Sequence, residues 1–177
     1  MTVNTVKARM RDWFKAETGL KNVFWSRQDE PRPGSAGPAK YGTILFLGNG
    51  RRVGGIDELR WSSGSSKFNQ EGLRTAIVSL NIVGDGANEL MSQLRDSVDR
   101  PDVVEQFHGW GFSIVADTDP LDLSDLEDIK YKERSQMDVT VMYPVEYETQ
   151  VQPIESVDIE YSDSEIGDIE FSVEGES

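Results

Sequence analysis

Apolar residues recur at helical spacing near the start of the chain. The stripe consists of Val6, Met10, Trp13 and Phe14. Intervals of three and four residues place side chains on one face of a helix, so the pattern predicts a helix over residues 3–17. Gly19 follows directly as a plausible stop.

A second helical pattern lies in the middle of the chain, over residues 84–98. Its apolar stripe consists of Leu90, Met91, Leu94 and Val98. Asp85 and Asn88 are both candidate N-cap residues, since short polar side chains accept hydrogen bonds from the first turn. Pro101 suits the first position of a further helical segment.

Alternating or continuous apolar runs predict strands elsewhere in the chain. They are "NVFWSRQ" (22–28), "YGTILFLG" (41–48), "RTAIVSLNIVG" (74–84), "GWGFSIVAD" (109–117) and "RSQMDVTVMYPVEYETQV" (134–151). The third run is apolar on both faces, which favours a central position. Pro144 interrupts the last run, and this indicates a bend or a sheet edge.

Glycine and proline mark the segments between these strands. "DEPRPGSAGPAK" (29–40) reads as a loop, and "NGRRVGG" after the strand at 41–48 reads as a hairpin turn. Residues 49–72 fit a long hairpin arm and a mobile loop equally well. The residues 117–128 form an acidic connector.

The order of elements predicts an α+β fold. We expect a mixed, mostly antiparallel β-sheet with two main helices packed on one face, followed by an extended C-terminal arm. The predicted boundaries are an α+β domain over residues 1–152 and an acidic arm or hairpin over residues 153–177.

Charge is distributed unevenly along the 177 residues, which carry a net charge of −14. Residues 1–60 hold 11 basic and 6 acidic residues, a balance of +5, whereas residues 135–177 hold 12 acids and no Lys or Arg. Such asymmetry can direct docking between copies. An acidic tail can equally be a solvated segment that only raises solubility.

The acidic tail also repeats a strand-like pattern, with "DIEYS" at 158–162 and "DIEFS" at 168–172. Alternation places apolar residues on one face of each copy, and a polar "SDSEIG" between them allows a hairpin. A lone two-stranded hairpin is marginal in water, so its apolar face needs a cover. The candidate interface residues are Val157, Ile159, Tyr161, Ile169, Phe171 and Val173.

The residues that could carry catalysis or bind a metal form no pattern typical of an enzyme or a cofactor site, so we expect neither. The chain has no cysteine, and its one histidine, His108, follows Phe107 at the end of a predicted helix. "GNGRRVGG" lacks the Lys-Ser/Thr ending of a phosphate loop. The acids between Asp117 and Asp128 miss the spacing of an EF-hand, so we expect a connector and no metal site.

Two partner classes are disfavoured by composition. A sequence pI near 4.4 argues against tight DNA binding, because duplex phosphates would repel the tail. No stretch reaches the roughly 18 consecutive apolar residues of a membrane span, and the N-terminus does not resemble a secretory signal. We therefore expect no membrane partner.

The order of segments resembles a family of ring-forming proteins. The opening helix, "VFWSRQDEPRPGSAGPAKYGTILFLG", "TAIVSLNIVGDGANELMSQLRDSV" and the strand that opens with "RSQMDVTV" look like the bacteriophage neck and tail terminator proteins. The resemblance covers about residues 5–150. It implies one mixed sheet with helices on one side, and it implies no catalysis.

The resemblance also implies a role and partners. A terminator forms a homohexameric ring that ends the tail tube and joins it to the head-side connector or stopper protein, while genomic DNA passes through the bore without specific binding. Such a protein is made in the host cytoplasm and resides in the virion neck. Two alternatives stay open: a head-completion or stopper connector protein, and an acidic DNA-mimic inhibitor.

Removal of residues 153–177 tests the role of the acidic arm. We expect the truncated chain to stay folded, because the predicted strands and helices lie upstream, and we expect its assembly to weaken. Circular dichroism checks the fold, and a head–tail joining assay checks the function. Joining as efficient as that of the full chain would support the solubility interpretation instead.

Overall fold

The computed structural model describes residues 2–26, 40–62, 67–127, 130–150, 159–161 and 169–171. The chain divides into two compact units. The larger comprises Met1–Glu58 and Glu71–Glu146, and the smaller comprises Leu59–Gln70 and Tyr147–Ser177. The predicted loop at 29–40 lies outside the described residues except for Lys40.

Three helices and ten strands are described. The helices are α1 (Val3–Thr18), α2 (Ala87–Ser97) and α3 (Pro101–Gly109). The strands are β1 (Val23–Trp25), β2 (Tyr41–Ser62), β3 (Lys67–Val83), β4 (Ser113–Asp117), β5 (Leu121–Asp122), β6 (Asp125–Glu127), β7 (Lys130–Lys132), β8 (Arg134–Gln150), β9 (Ile159–Tyr161) and β10 (Ile169–Phe171).

One mixed sheet organises the larger unit, as the sequence predicts. Its strand order is β1-β2-β3-β8-β4, and β5 also pairs with β8. β1 runs parallel to β2, with Val23 opposite Gly42, whereas β4 and β5 are antiparallel to β8. β6 with β7, and β9 with β10, form separate antiparallel pairs. The α+β class is therefore confirmed.

The core lies between the helices and one face of this sheet. Alternate residues of β3 are buried, namely Ala76, Val78, Leu80 and Ile82, and they pack with alternate residues of β8 from Met137 to Val145. The predicted stripe of α1 is fully buried against them. Trp13 meets Phe107 of α3 edge-to-face, with ring centroids 5.4 Å apart. All three helices therefore contribute to a single hydrophobic cluster.

The long strands extend further than the helices can cover. α1 has 16 residues and is about 24 Å long at 1.5 Å per residue. β3 has 17 residues and β2 has 22, so each spans more than about 50 Å. The mismatch shows in β3, where burial begins only at Ala76. The residues of β3 before Ala76 are half-buried or exposed.

The predicted hairpin turn at "NGRRVGG" is wrong. β2 continues without interruption through these residues to Ser62, and the chain returns as β3 from Lys67. The long hairpin arm is thus the correct alternative for residues 49–72. Gly48, Gly50 and Gly54 adopt positive φ, which glycine accommodates without steric cost. They lie inside the strand and do not end it.

Two further boundaries differ from the sequence pattern or refine it. The strand predicted from residue 109 begins at Ser113, because Gly109 ends α3 and the Trp110 N–H donates to the Gln106 carbonyl. Pro101 does open α3. Pro144 does not end β8, but it lies past the last β4 pair, Ser113 with Met142, and so occupies the predicted edge position.

The N-terminus of α2 is capped by a distant residue, and the predicted caps Asp85 and Asn88 are wrong. The N-cap position is Gly86, in the left-handed conformation. The Glu133 carboxylate accepts from the backbone N–H groups of Gly86, Ala87 (3.2 Å) and Asn88 (3.4 Å). The negative charge of this carboxylate also interacts favourably with the positive end of the helix dipole. This cap ties α2 to the start of β8.

Replacement of Glu133 tests this cap. Glu133→Ala should lower the free energy of unfolding by about 1 kcal/mol, the usual effect of removing a helix cap. Asp85→Ala is the matched control, because Asp85 is exposed and its side chain does not cap the helix. Urea unfolding of both variants provides the measurement. Equal stability of the two variants would contradict the assignment.

Candidate functional site

His108 and the acidic connector do not assemble into a reaction centre in the described part of the chain. His108 is exposed in the last turn of α3. The acidic connector is partly strand, containing β5 and β6. Among the described residues there is no group of three or more His, Cys, Asp or Glu side chains placed to hold a metal ion.

A groove of about 480 Å³ lies on the sheet face opposite the helices. Its walls combine apolar and polar side chains: Ser26, Tyr41, Thr43, Leu45, Leu47, Ser79, Asn81, Val83, Leu123, Lys132, Arg134, Gln136 and Asp138. Ser79 and Asn81 are buried at its floor, and Arg134 Nη2 donates to Asn81 Oδ1 at 3.1 Å. The mixture suits contact with another protein segment better than it suits a small apolar ligand.

Ion pairs connect the helices to one another and to the sheet. Arg100 donates to Glu17 of α1 at 2.9 Å and to Asp102 of α3 at 2.7 Å. The hydrogen bond with Asp102 raises the pKa of Arg100 and lowers the pKa of the Asp102 carboxyl. Arg95 of α2 pairs with Asp117 of β4 at 2.8 Å. These contacts position the helix layer.

A buried ion pair joins β2 to β3. Arg74 donates two parallel hydrogen bonds to Asp57, at 2.8 and 2.6 Å, and the two side chains are only 15% and 3% exposed. Gly72 lies against the Asp57 carboxylate, so a side chain at this position would collide with it. Gly50 of β2 likewise lies against the hydroxyl of Tyr143 on β8. The ion pair between Asp57 and Arg74 therefore holds β2 and β3 in a defined register.

Apolar side chains are exposed along the same part of the sheet. We call residues 48–58 of β2 and 71–75 of β3 the uncovered segment. Within it Val53 and Leu73 are exposed, and Ile56 is 85% exposed. Exposed apolar side chains that lie together mark interaction sites on soluble proteins. The uncovered segment is the first candidate interface.

The smaller unit carries a second set of exposed apolar residues. Leu59, Trp61, Phe68 and Tyr147 are exposed there, and the rings of Trp61 and Phe68 lie 4.8 Å apart. Lys67 and Glu148 form an ion pair at 3.0 Å in the same unit. Tyr, Trp and Phe are enriched in protein interfaces. This set is the second candidate interface.

The interface residues predicted from the acidic repeat are only partly described. Val157 and Val173 lie outside the described residues. The backbones of β9 and β10 pair antiparallel, with Ile159 opposite Phe171 and Tyr161 opposite Ile169. The hairpin pairing thus exists, and the interface role of these residues stays a prediction.

Sequence reasoning missed the exposed residues of the uncovered segment. The glycines around Arg51 and Arg52 suggested a turn, and a turn would have made the neighbouring apolar residues incidental. The available signal was the presence of the apolar residues Val53 and Ile56 among polar and glycine residues. A glycine-rich stretch is still a strand when its partner strand is long.

The fold and its exposed apolar strands define a protein that acts through contacts with other proteins. The chain belongs to the phage neck terminator protein family, which matches residues 4–167. It is therefore a structural protein of the phage neck, and its location is the virion. The match extends past residue 150, where the resemblance seen in the sequence ended. A comparison with curated proteins gives no match.

The described residues include no helix that is both long and apolar enough to span a membrane.

Replacement of Asp57 tests the ion pair that holds the uncovered segment. Asp57→Asn preserves size but removes the charge that Arg74 faces, and loss of one partner of a buried pair should lower stability by about 2–3 kcal/mol. Asp102→Asn is the control, because its pair with Arg100 is solvent-exposed and such pairs contribute little. Urea unfolding distinguishes them, and equal effects would contradict the structural role of Asp57.

Proposed function

We propose that this protein forms a homohexameric ring that ends the tail tube and joins it to the head-side connector. Family membership supports a role in the neck. The observation that carries the ring is the exposure of Val53, Ile56 and Leu73 on β2 and β3. Apolar side chains of this kind gain free energy when a neighbouring copy removes them from water.

Residues 153–177 serve in this proposal as a docking arm attached to a domain over residues 1–152. The pairing of β9 with β10 supports this assignment, because two short strands alone are marginal in water. A surface on a neighbouring subunit or an adjoining ring supplies the missing cover. The candidate contacts are the six apolar residues of the acidic repeat.

The charge distribution fits a conduit for DNA. Residues 135–177 carry 12 acids and no basic residue. Acidic groups near the bore repel phosphates, so the genome can pass without being held. The ring needs no catalysis and no cofactor for this task.

Cryo-electron microscopy of the virion neck, or of the protein mixed with purified tail tubes, tests the proposal. We expect a sixfold ring on the end of the tube. A ring that contacts only the head-side connector would assign the protein as a stopper. Density nowhere on the neck would refute the proposal.

Ile56 provides a point test of the first candidate interface. Ile56→Asn should leave stability unchanged, because the side chain is 85% exposed, and it should reduce ring formation on tail tubes. Val115→Asn is the matched control, since Val115 is 48% exposed on β4, away from the uncovered segment. Negative-stain counting of capped tubes gives the measurement. Equal capping by both variants would exclude Ile56 from the interface.

A further inference from the structure

The outer strands of the sheet leave backbone unpaired on both sides. β1 pairs with β2 only from Gly42 to Ile44, yet β2 continues to Ser62. On the other side β4 pairs with β8 only as far as Met142, yet β8 continues to Gln150. Within the described residues no other strand takes these places. Among the described residues of the larger unit, the sheet therefore has two open edges, which are β2 from Leu45 to Glu58 and β8 from Tyr143 to Glu146.

Open edges are templates for pairing with another chain. Each presents N–H and C=O groups that a further strand can satisfy. Natural proteins usually protect such edges with charges, glycine bulges or proline. β2 carries Gly50 and Gly54 with positive φ, and β8 carries Pro144, which has no N–H to donate. If the charges served only to prevent strand pairing between copies, charges of the same sign on both edges would be sufficient.

The two open edges carry charges of opposite sign. Arg51 and Arg52 are exposed on the β2 edge together with one acidic residue, Glu58, whereas Glu146 is the exposed charged residue on the β8 edge. No ion pair joins Arg51, Arg52 or Glu146 to another described residue. Successive residues of a strand point to opposite faces, so one of the two arginines shares a face with Glu146 in any sheet that continues across the edges. Opposite charges on facing strands attract.

We propose that the β2 edge of one copy pairs with the β8 edge of the next copy. This inference rests on the proposed ring and specifies its interface. Each copy offers one edge of each kind, so the contact is heterologous and closes into a ring when the rotation per copy fits. The occupant of each edge is therefore a second copy of this chain. The pairing satisfies the backbone groups and places the basic edge against the acidic one.

Cross-linking tests which edges meet, because the chain contains no cysteine of its own. A variant with both Arg52→Cys and Glu146→Cys is assembled on purified tail tubes and treated with a flexible bismaleimide. We expect a ladder of covalent products that ends at the ring size. Each single variant should stay a monomer on a denaturing gel, since a heterologous interface contains only one of its cysteines. A dimer from a single variant would overturn the proposal.

Charge reversal provides an independent test of the same interface. Arg51→Glu with Arg52→Glu should raise the protein concentration needed for capping by about tenfold or more, since like charges then face each other. Adding Glu146→Arg to that chain should restore most of the capping. Failure of this rescue would count against edge pairing.

The two proposals fail in different ways. Electron microscopy that shows rings on the tubes, with no ladder from the double cysteine variant, would refute edge pairing and leave the ring intact. Absence of rings with the unmodified protein would refute both. Rings together with the ladder and the rescue would establish the β2–β8 contact.

Discussion

The length of the strands relative to the helices is the constraint on which the rest of this structure depends. A helix rises about 1.5 Å per residue and a strand about 3.3 Å, so helices of 9 to 16 residues cannot cover strands of 17 to 22. The core therefore forms at one part of the sheet, where α1, α2 and α3 bury alternate residues of β3 from Ala76 to Ile82. The remaining strand length requires other means of stabilisation.

Those means are visible in the uncovered segment. A bidentate ion pair between Arg74 and Asp57 is shielded from water, and Gly72 provides the space for the carboxylate. Such a pair fixes register more than it adds stability, because desolvation offsets much of the attraction. Fixed register in turn keeps Ile56 and the arginines of β2 in defined positions. A surface that is rigid before binding loses less entropy when it meets a partner.

The sequence predicted those parts of the fold that local periodicity determines. The apolar stripe of α1 and the switch to helical spacing at α2 could be predicted, because burial of one helix face imposes this spacing on the sequence. The cap of α2 could not be predicted from the local sequence, because Glu133 lies more than 40 residues from the backbone groups it binds. The continuation of β2 was missed because glycines with positive φ belong to turns and to bulges alike. Only pairing with β3 shows that these glycines lie inside a strand, and no local sequence signal indicates that pairing.

The candidate interface was predictable only in part for a similar reason. The repeat at 158–172 was visible because its alternation stands out in an acidic background, whereas the open edges of β2 and β8 depend on where β1 and β4 end. Edge exposure is a property of the whole sheet order, and no single strand's sequence encodes it. The candidate site is thus a consequence of topology, with charge as its only local sign.

Net charge and local charge act in opposite directions on assembly. Copies that each carry −14 repel one another, which favours separate chains in solution. At physiological ionic strength this repulsion is screened beyond about 8 Å, whereas contacts between neighbouring strands are shorter than that. In the proposed edge pairing, the overall repulsion hardly weakens the local attraction once the copies are aligned. In the proposed ring, a tube end that aligns six copies would supply this condition, so an acidic composition that favours separate chains in solution is compatible with closure of a ring at the end of the tail.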